Sequence, residues 1–299
     1  MYLLLKNILL SKKIILLQSY LQIVNFKELT ESNNIFNENL RNTMILSHHI
    51  KDNYFKKVKK LSKRLKIKNP HIRCRTGYQV KLVYIFLKLR KFFSNNFELV
   101  ISGNANSYLD REFINLSDKS IILDDGTNIF ENIFQNLNFK NCRVFSAFEP
   151  HYFKKYDYQT NKYSFLKKKL KNLSGFSNEV YFLGIPFVEI YHLKKNYYIN
   201  LLKKIIPNLK SKKKIIYVPH PKENPLYLKK YFKDLKILNI DCPIELYLLN
   251  KKKFPKMVVS FGSTALIVLN KISNKFKLLN LSEKRNSITS NFDKVKYKK

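Results

Sequence analysis

Lys214-Ile215-Ile216-Tyr217-Val218-Pro219-His220-Pro221 is the stretch on which the reading of the fold turns. Ile215 to Val218 are β-branched or aromatic, the composition of a short buried strand. Pro219 and Pro221 then stop it, because proline lacks the N–H a sheet ladder needs and restricts the residue before it. The same form, an apolar run ending in a polar turn, recurs at Glu98-Leu99-Val100-Ile101-Ser102-Gly103-Asn104 and at Ser120-Ile121-Ile122-Leu123-Asp124-Asp125-Gly126. It recurs again at Val180-Tyr181-Phe182-Leu183-Gly184, at Ile244-Glu245-Leu246-Tyr247 and at Met257-Val258-Val259-Ser260, so each of these is predicted to be a strand. Helical stretches lie between most of them. Alternating strands and helices predict an α/β fold of parallel sheets covered on both faces, with ligands bound beyond the carboxyl ends of the strands.

At 299 residues the chain is long for a single core, and 45% hydrophobic with 14% aromatic residues supplies material for two. Two domains are expected, 1–170 and 171–299, facing each other across a cleft, with the connection in the latter half of the lysine- and tyrosine-rich segment 138–177. Phe55, Val58, Leu61 and Leu65 recur at helical spacing within 51–68, with lysines on the other face, and read as a surface helix. Residues 80–93 read as a second, more buried helix. Lys6, Lys12 and Lys13 break the apolar start, so 1–26 is expected to be an amphipathic or first core helix, neither a membrane span nor a secretory signal. The tail 284–299 is polar.

Three cysteines, at 74, 142 and 242, are odd in number and widely spaced, which indicates neither a disulfide framework nor a zinc site. The net charge of +36 would ordinarily suggest a polyanion partner. Only eight of the 57 basic residues are arginines, however, whereas base-reading surfaces depend on arginine forks. Lysine spread along the whole chain beside abundant Asn and Ile reads in part as AT-rich coding bias. Its remaining meaning is attraction to acidic substrates and to anionic lipid, through the lysines of 56–68 and the N-terminus. No specific nucleic-acid partner is expected, and the location is expected to be cytoplasmic with peripheral contact at the inner membrane face.

Three turns can carry chemistry. Asp124-Asp125-Gly126 puts carboxylates at a strand end, where one can act as a general base or a metal ligand, although turns favour these residues for structural reasons too. His220 stands on a loop stiffened by prolines; an imidazole ordinarily titrates near neutrality and can donate a proton. His48, His49, His71, His151 and His192 lack any such setting. Ser260-Phe261-Gly262-Ser263-Thr264 leads into an apolar helix, so Ser263 and Thr264 at its first turn read as an anion site or a plain helix cap. Glu245, on its predicted strand, can accept from a ribose diol or be a surface acid.

The order and spacing of these turns resemble the bacterial sialyltransferases of the GT-B fold. Tyr217-Val218-Pro219-His220-Pro221-Lys222-Glu223 looks most like the lipooligosaccharide sialyltransferases of glycosyltransferase family 52, and the Asp-Asp-Gly and His-Pro signatures are shared with capsule polysialyltransferases. The resemblance runs from about residue 95 to 282. It implies two Rossmann-like domains, an inverting transfer of N-acetylneuraminic acid from CMP-sialic acid to a terminal sugar of a lipooligosaccharide or capsule glycan, and no cofactor or metal. It further implies Asp124 or Asp125 as base, the first acid preferred, and His220 as acid on the departing CMP. Gly184, Pro221, Glu245, Gly262, Ser263 and Thr264 would bind the donor. A GT-B transferase with a UDP- or CDP-linked donor, such as a capsule polymerase or glycerophosphotransferase, is the alternative enzyme. A non-catalytic polyanion-binding protein is the alternative of another class.

Overall fold

The computed structural model describes residues 2–32, 43–48, 50–74, 77–93, 95–125, 138–190, 192–210 and 214–281. Gly126 of the acidic turn, His49 and the tail from 282 onward lie outside these residues. The chain divides into two compact units, Met1–Phe165 and Leu166–Lys299, so the division falls a few residues before the position expected from sequence.

In the first unit the described strands are β1 (Lys13–Leu16), β2 (Thr43–Ser47), β3 (His71–Arg73), β4 (Leu99–Ser102), β5 (Ser120–Leu123), β6 (Cys142–Ser146) and β7 (Asp157–Thr160). They form one sheet in the order β3-β2-β1-β4-β5-β6-β7, and every pairing is parallel. The chain winds outward from β1 in one direction, returns, and winds outward from β4 in the other. That is the doubly wound order, with its switch point between β1 and β4. Helices α1 (Tyr2–Leu10), α2 (Tyr20–Ser32), α3 (Asp52–Arg64), α4 (Tyr78–Phe92) and α5 (Tyr108–Asn115) connect the strands.

The second unit repeats the plan. After α6 (Ser164–Leu170), which spans the division, come β8 (Phe176–Leu183), α7 (Lys195–Lys210), β9 (Lys214–Val218), α8 (Leu226–Tyr231), β10 (Lys236–Ile237), α9 (Ile244–Leu249), β11 (Phe254–Ser260), α10 (Thr264–Ile272) and β12 (Leu278–Asn280). The sheet order β10-β9-β8-β11-β12 is again parallel throughout, with the switch point between β8 and β11. Successive residues of β8 serve opposite faces. Tyr181 and Leu183 pack with Ile216, Val218, Leu248 and Leu266, whereas Val180 and Phe182 pack with Tyr198, Leu202, Tyr217 and Val259. Burial on both faces explains why these strands read as continuous apolar runs.

Four expectations need correction. Residues 1–26 are not one helix: α1 ends at Leu10, Lys13–Leu16 forms β1 inside the sheet, and α2 begins at Tyr20. Residues 244–247 are not a strand but the start of α9, entered from Pro243; Glu and Leu favour helix, and Glu245, Leu246, Leu248 and Leu249 are its buried residues. The segment 138–177 holds β6, β7 and the start of β8 despite its weak strand signal. The helix expected at 80–93 forms, but only Val83, Leu87 and Arg90 are buried in it, and its outward face is apolar. The surface helix at 51–68 forms as α3, with Val58 and Leu61 fully buried.

Candidate active site

Parallel register sets the site of the second unit. Leu183, Val218 and Ser260 end their strands side by side, Leu183 pairing with both of the others. The turns that follow therefore share one edge: Gly184 after β8, Pro219-His220-Pro221 after β9 and Phe261-Gly262-Ser263-Thr264 after β11. The Gly184 N–H donates to the Val218 carbonyl at 2.8 Å and the Ser260 hydroxyl to the Leu183 carbonyl at 3.0 Å, which fastens the three ends together. Gly184 and the 261–264 turn flank the switch point, where open α/β sheets leave a crevice. Gly262 has φ of 94°, a left-handed value that favours glycine. The turn then delivers Ser263 as N-cap of α10, its hydroxyl accepting from Ala265 N–H at 3.3 Å. Thr264 is the first helical residue, and the helix N-terminus brings partial positive charge to the edge.

His220 is held from below by Glu223. One carboxylate oxygen accepts from the His220 backbone N–H at 3.0 Å, and the other accepts from the Tyr217 hydroxyl, itself 2.9 Å from the Tyr198 hydroxyl. Glu223 is buried, and burial pushes its carboxyl up to about 7. Gly184 is needed here by close approach: a Cβ would run into the Glu223 carboxylate and stand 2.5 Å from the Tyr217 hydroxyl. The ring of His220 is lowered to about 4, chiefly by burial and further by the Lys222 charge. Its expected titration near neutrality is thus corrected: the imidazole is neutral at pH 7. The Lys222 N–H donates to Nδ1 at 3.2 Å, so in the neutral ring the proton sits on Nε2. Pro221 follows as an exposed residue. Glu245 is buried in the first turn of α9, where burial raises its carboxyl to about 7.

In the first unit, the acids following β5 differ from each other. Asp124 is buried, and its Oδ2 accepts from the Ser146 hydroxyl and the Ala147 N–H, both at 3.1 Å. Its carbonyl accepts from the Asn25 amide at 2.6 Å, and Asn25 in turn accepts from Asn161 at 3.1 Å. Asp124 therefore ties the ends of β5, β6 and β7 to α2. Asp125 is half-exposed and accepts from the Ser19 hydroxyl at 3.1 Å. Sequence reasoning passed over His48, which is fully buried beyond β2. Its Nε2 contacts Asp110 Oδ1 and lies 2.9 Å from the Gln18 amide, while Asp110 Oδ2 accepts from Ser102 at 2.7 Å. This cluster joins the ends of β1, β2 and β4. Its members are scattered through the sequence, and only the sheet order brings them together. Among the described residues no three His, Cys, Asp or Glu side chains are grouped to hold a metal ion.

Residues 139–280 match the family model described as alpha-2,8-polysialyltransferase (POLYST). This is just under half of the chain. The match takes in Gly184, His220, Pro221, Glu245, Gly262, Ser263 and Thr264, and leaves out Asp124 and Asp125. The UDP-GlcNAc 2-epimerase of Methanocaldococcus jannaschii, solved with UDP-GlcNAc and UDP, superposes with a TM-score of 0.60 at 14% identity, over 90% of this chain and 83% of that one. The E. coli heptosyltransferase WaaC, solved with ADP-2-deoxy-2-fluoro heptose, gives a TM-score of 0.42 at 12% identity over 92% and 90%. No curated protein sequence matches. The fold is of GT-B type, two Rossmann-like α/β units, and the C-terminal half is similar to a sialyltransferase family.

The Gly184 contact is open to direct test. Gly184→Ala should lower stability by about 1–3 kcal/mol, read by denaturant unfolding, because the added carbon meets a packed carboxylate and phenol. Unchanged stability would mean that the three groups are not crowded. For Glu223 the folded pKa lies above the ordinary carboxyl value of 4.5, so its contribution to stability is complete below about pH 4.5 and is lost as pH rises through about 7. Measured against wild type, Glu223→Gln should therefore gain in melting temperature as pH rises from about 4.5 to 7, the difference that isolates this one carboxyl.

Proposed function

We propose that the chain is an inverting sialyltransferase that moves N-acetylneuraminic acid from CMP-sialic acid to the terminal sugar of a surface glycan, lipooligosaccharide or capsule. The observation that carries this reading is the His220-Pro221 turn, aligned with Gly184 and the N-terminus of α10 at the switch-point edge, inside the segment that matches the polysialyltransferase model. In this reading the donor phosphate lies at that edge. Ser263, Thr264 and the first-turn N–H groups of α10 bind its oxygens, and Gly184 and Gly262 let the nucleotide approach the backbone. His220, neutral with its proton on Nε2, donates a hydrogen bond to the phosphate, whose negative charge draws the ring toward protonation as CMP leaves. Pro221 keeps the loop rigid, and Glu245 serves the ribose from α9.

The reaction asks for little else. CMP is a good leaving group and the sialyl centre passes through an oxocarbenium-like state, so the enzyme needs charge stabilisation at phosphate and a base on the acceptor hydroxyl. Of the two acids the geometry favours Asp125 as the base, since Asp124 is committed to Ser146 and Ala147. Asp124 is then the positioning residue. With the phosphate met by His220 and a helix N-terminus, no metal is required, and the reaction's partners are the donor and the glycan acceptor.

Mass-spectrometric product analysis with CMP-sialic acid, UDP-GlcNAc and CDP-glycerol, each offered with lactosides and with sialylated lactosides, tests the assignment. Sialyl transfer from CMP-sialic acid alone is expected; product only from another donor would overturn it. His220→Ala and Asp125→Ala should each lower turnover by ~10²-fold or more in a folded protein. Near wild-type turnover in both would remove them from the chemistry. EDTA should leave the rate intact, and a rate restored only by added magnesium or manganese would make the acids metal ligands instead.

A further inference from the structure

Helix α4 is apolar on the wrong side. Its inner face buries Val83, Leu87 and Arg90. Its outward face carries Tyr78, Ile85, Leu89 and Phe92, exposed by 71, 52, 54 and 81%, at steps of seven, four and three residues that keep them on one stripe. Phe93 at the C-cap is 73% exposed and packs edge-on against Phe92 with ring centroids 5.3 Å apart. On the inner side, Arg90 Nη1 donates to the Ile8 carbonyl at 3.3 Å, which sets the last turn of α4 near the end of α1, where Leu9 and Leu10 are 55 and 63% exposed. A helix apolar all round is ordinarily buried, and contiguous exposed apolar surface marks an interface. Lys81, Lys88 and Lys91 are exposed along the same helix.

We infer that α4 is a docking surface for an anionic lipid bilayer, lying in the plane of the interface. The lysines decide among occupants. A second copy meeting this stripe would bring three lysines against three lysines on two chains each of net charge +36, an arrangement that repels. Anionic headgroups complement the same lysines, while Ile85, Leu89, Phe92 and Phe93 reach the acyl boundary. Among the described residues no helix is long and apolar enough to cross a membrane, so the contact is peripheral. The surface lies on α4, whereas sequence reasoning assigned membrane contact to the lysines of 56–68 and the N-terminus; α3, which carries most of those lysines, buries Val58 and Leu61 and exposes mainly charge. The inference stands independently of the reaction proposed above.

The chain contains no tryptophan, so Phe92→Trp in the full chain gives a single reporter of the stripe. With phosphatidylcholine vesicles containing about 30 mol% phosphatidylglycerol, its emission should shift to the blue, and with phosphatidylcholine alone at the same salt it should not. The combined variant Ile85→Ser, Leu89→Ser, Phe92→Ser should co-sediment with the anionic vesicles ~10-fold less than wild type at an unchanged melting temperature. Lys81→Gln, Lys88→Gln and Lys91→Gln together should abolish the preference for anionic over neutral vesicles. An unshifted reporter, or serine variants that bind as wild type does, would overturn the inference in favour of diffuse electrostatic attraction. So would a wild-type dimer that these serines convert to monomer, since a second copy would then be the occupant.

Discussion

A single buried carboxyl organises the strand-end edge of the second unit. Glu223 bonds the His220 backbone through one oxygen and the Tyr217 hydroxyl through the other, so the histidine loop is tied back onto a side chain of strand β9. Tyr217 lies on β9 and contacts Tyr198 of α7, so the tether reaches the helical layer. Gly184 has to lack a side chain because this carboxylate occupies the space. The constraint is physical before it is chemical: a buried acid without partners is costly, and this one obtains them by fixing the loop that carries the imidazole.

The first unit solves the equivalent problem differently. Its strand ends are joined by two groups of buried polar side chains, Asp124 with Ser146, and His48 with Asp110, Gln18 and Ser102. Asn25 and Gln22 of α2 add bonds to the Asp124 and Gly103 carbonyls. With so many groups turned inward, Asp125 is the acid left half-exposed at this edge. Two adjacent carboxylates of identical chemistry are thus set apart by burial, one a tie between strands and the other half-exposed and bonded to Ser19.

The strands that sequence made legible were those buried on both faces, such as β4, β5, β9 and β11, because continuous β-branched runs leave a signal that needs no partner. β3 and β7 were not legible: His71–Arg73 and Asp157–Thr160 are short and polar, and they are strands because a neighbour offers a ladder, while β2 is buried throughout but has only three apolar residues between Thr43 and Ser47. Residues 244–247 misled for the converse reason, since four apolar-rich positions after a proline suit a buried helix turn as well as a strand. Gly184, His220 and Ser263 were visible as turn residues, but their adjacency rests on the order β9-β8-β11, which no local pattern encodes. Glu223, six residues along from Tyr217, was quoted as part of a motif without a role, because neither its burial nor its two bonds can be inferred from spacing.

The protons of this fold are distributed in opposing pairs. His71 and His220 are both lowered to about 4, largely by burial, and a depressed histidine contributes stability that is complete above about pH 6.5 and lost as pH falls through 4. Glu223 and Glu245 are both raised to about 7, again largely by burial, and lose their contribution as pH rises from about 4.5 through 7. Between about pH 4.5 and 6.5 the two effects have opposite slopes and nearly cancel, because folding excludes two protons from the histidines and admits two to the glutamates. Around neutrality the consequence falls on the edge itself. His220 carries no charge there, and Glu223 beneath it is only partly ionised, so neither presents a fixed ion to a phosphate. On the reading proposed above, a phosphate at this edge would meet an oriented Nε2–H, hydroxyls and a helix terminus, groups that bind an anion without having been desolvated as ions first, which costs less than holding a buried charge ready for it.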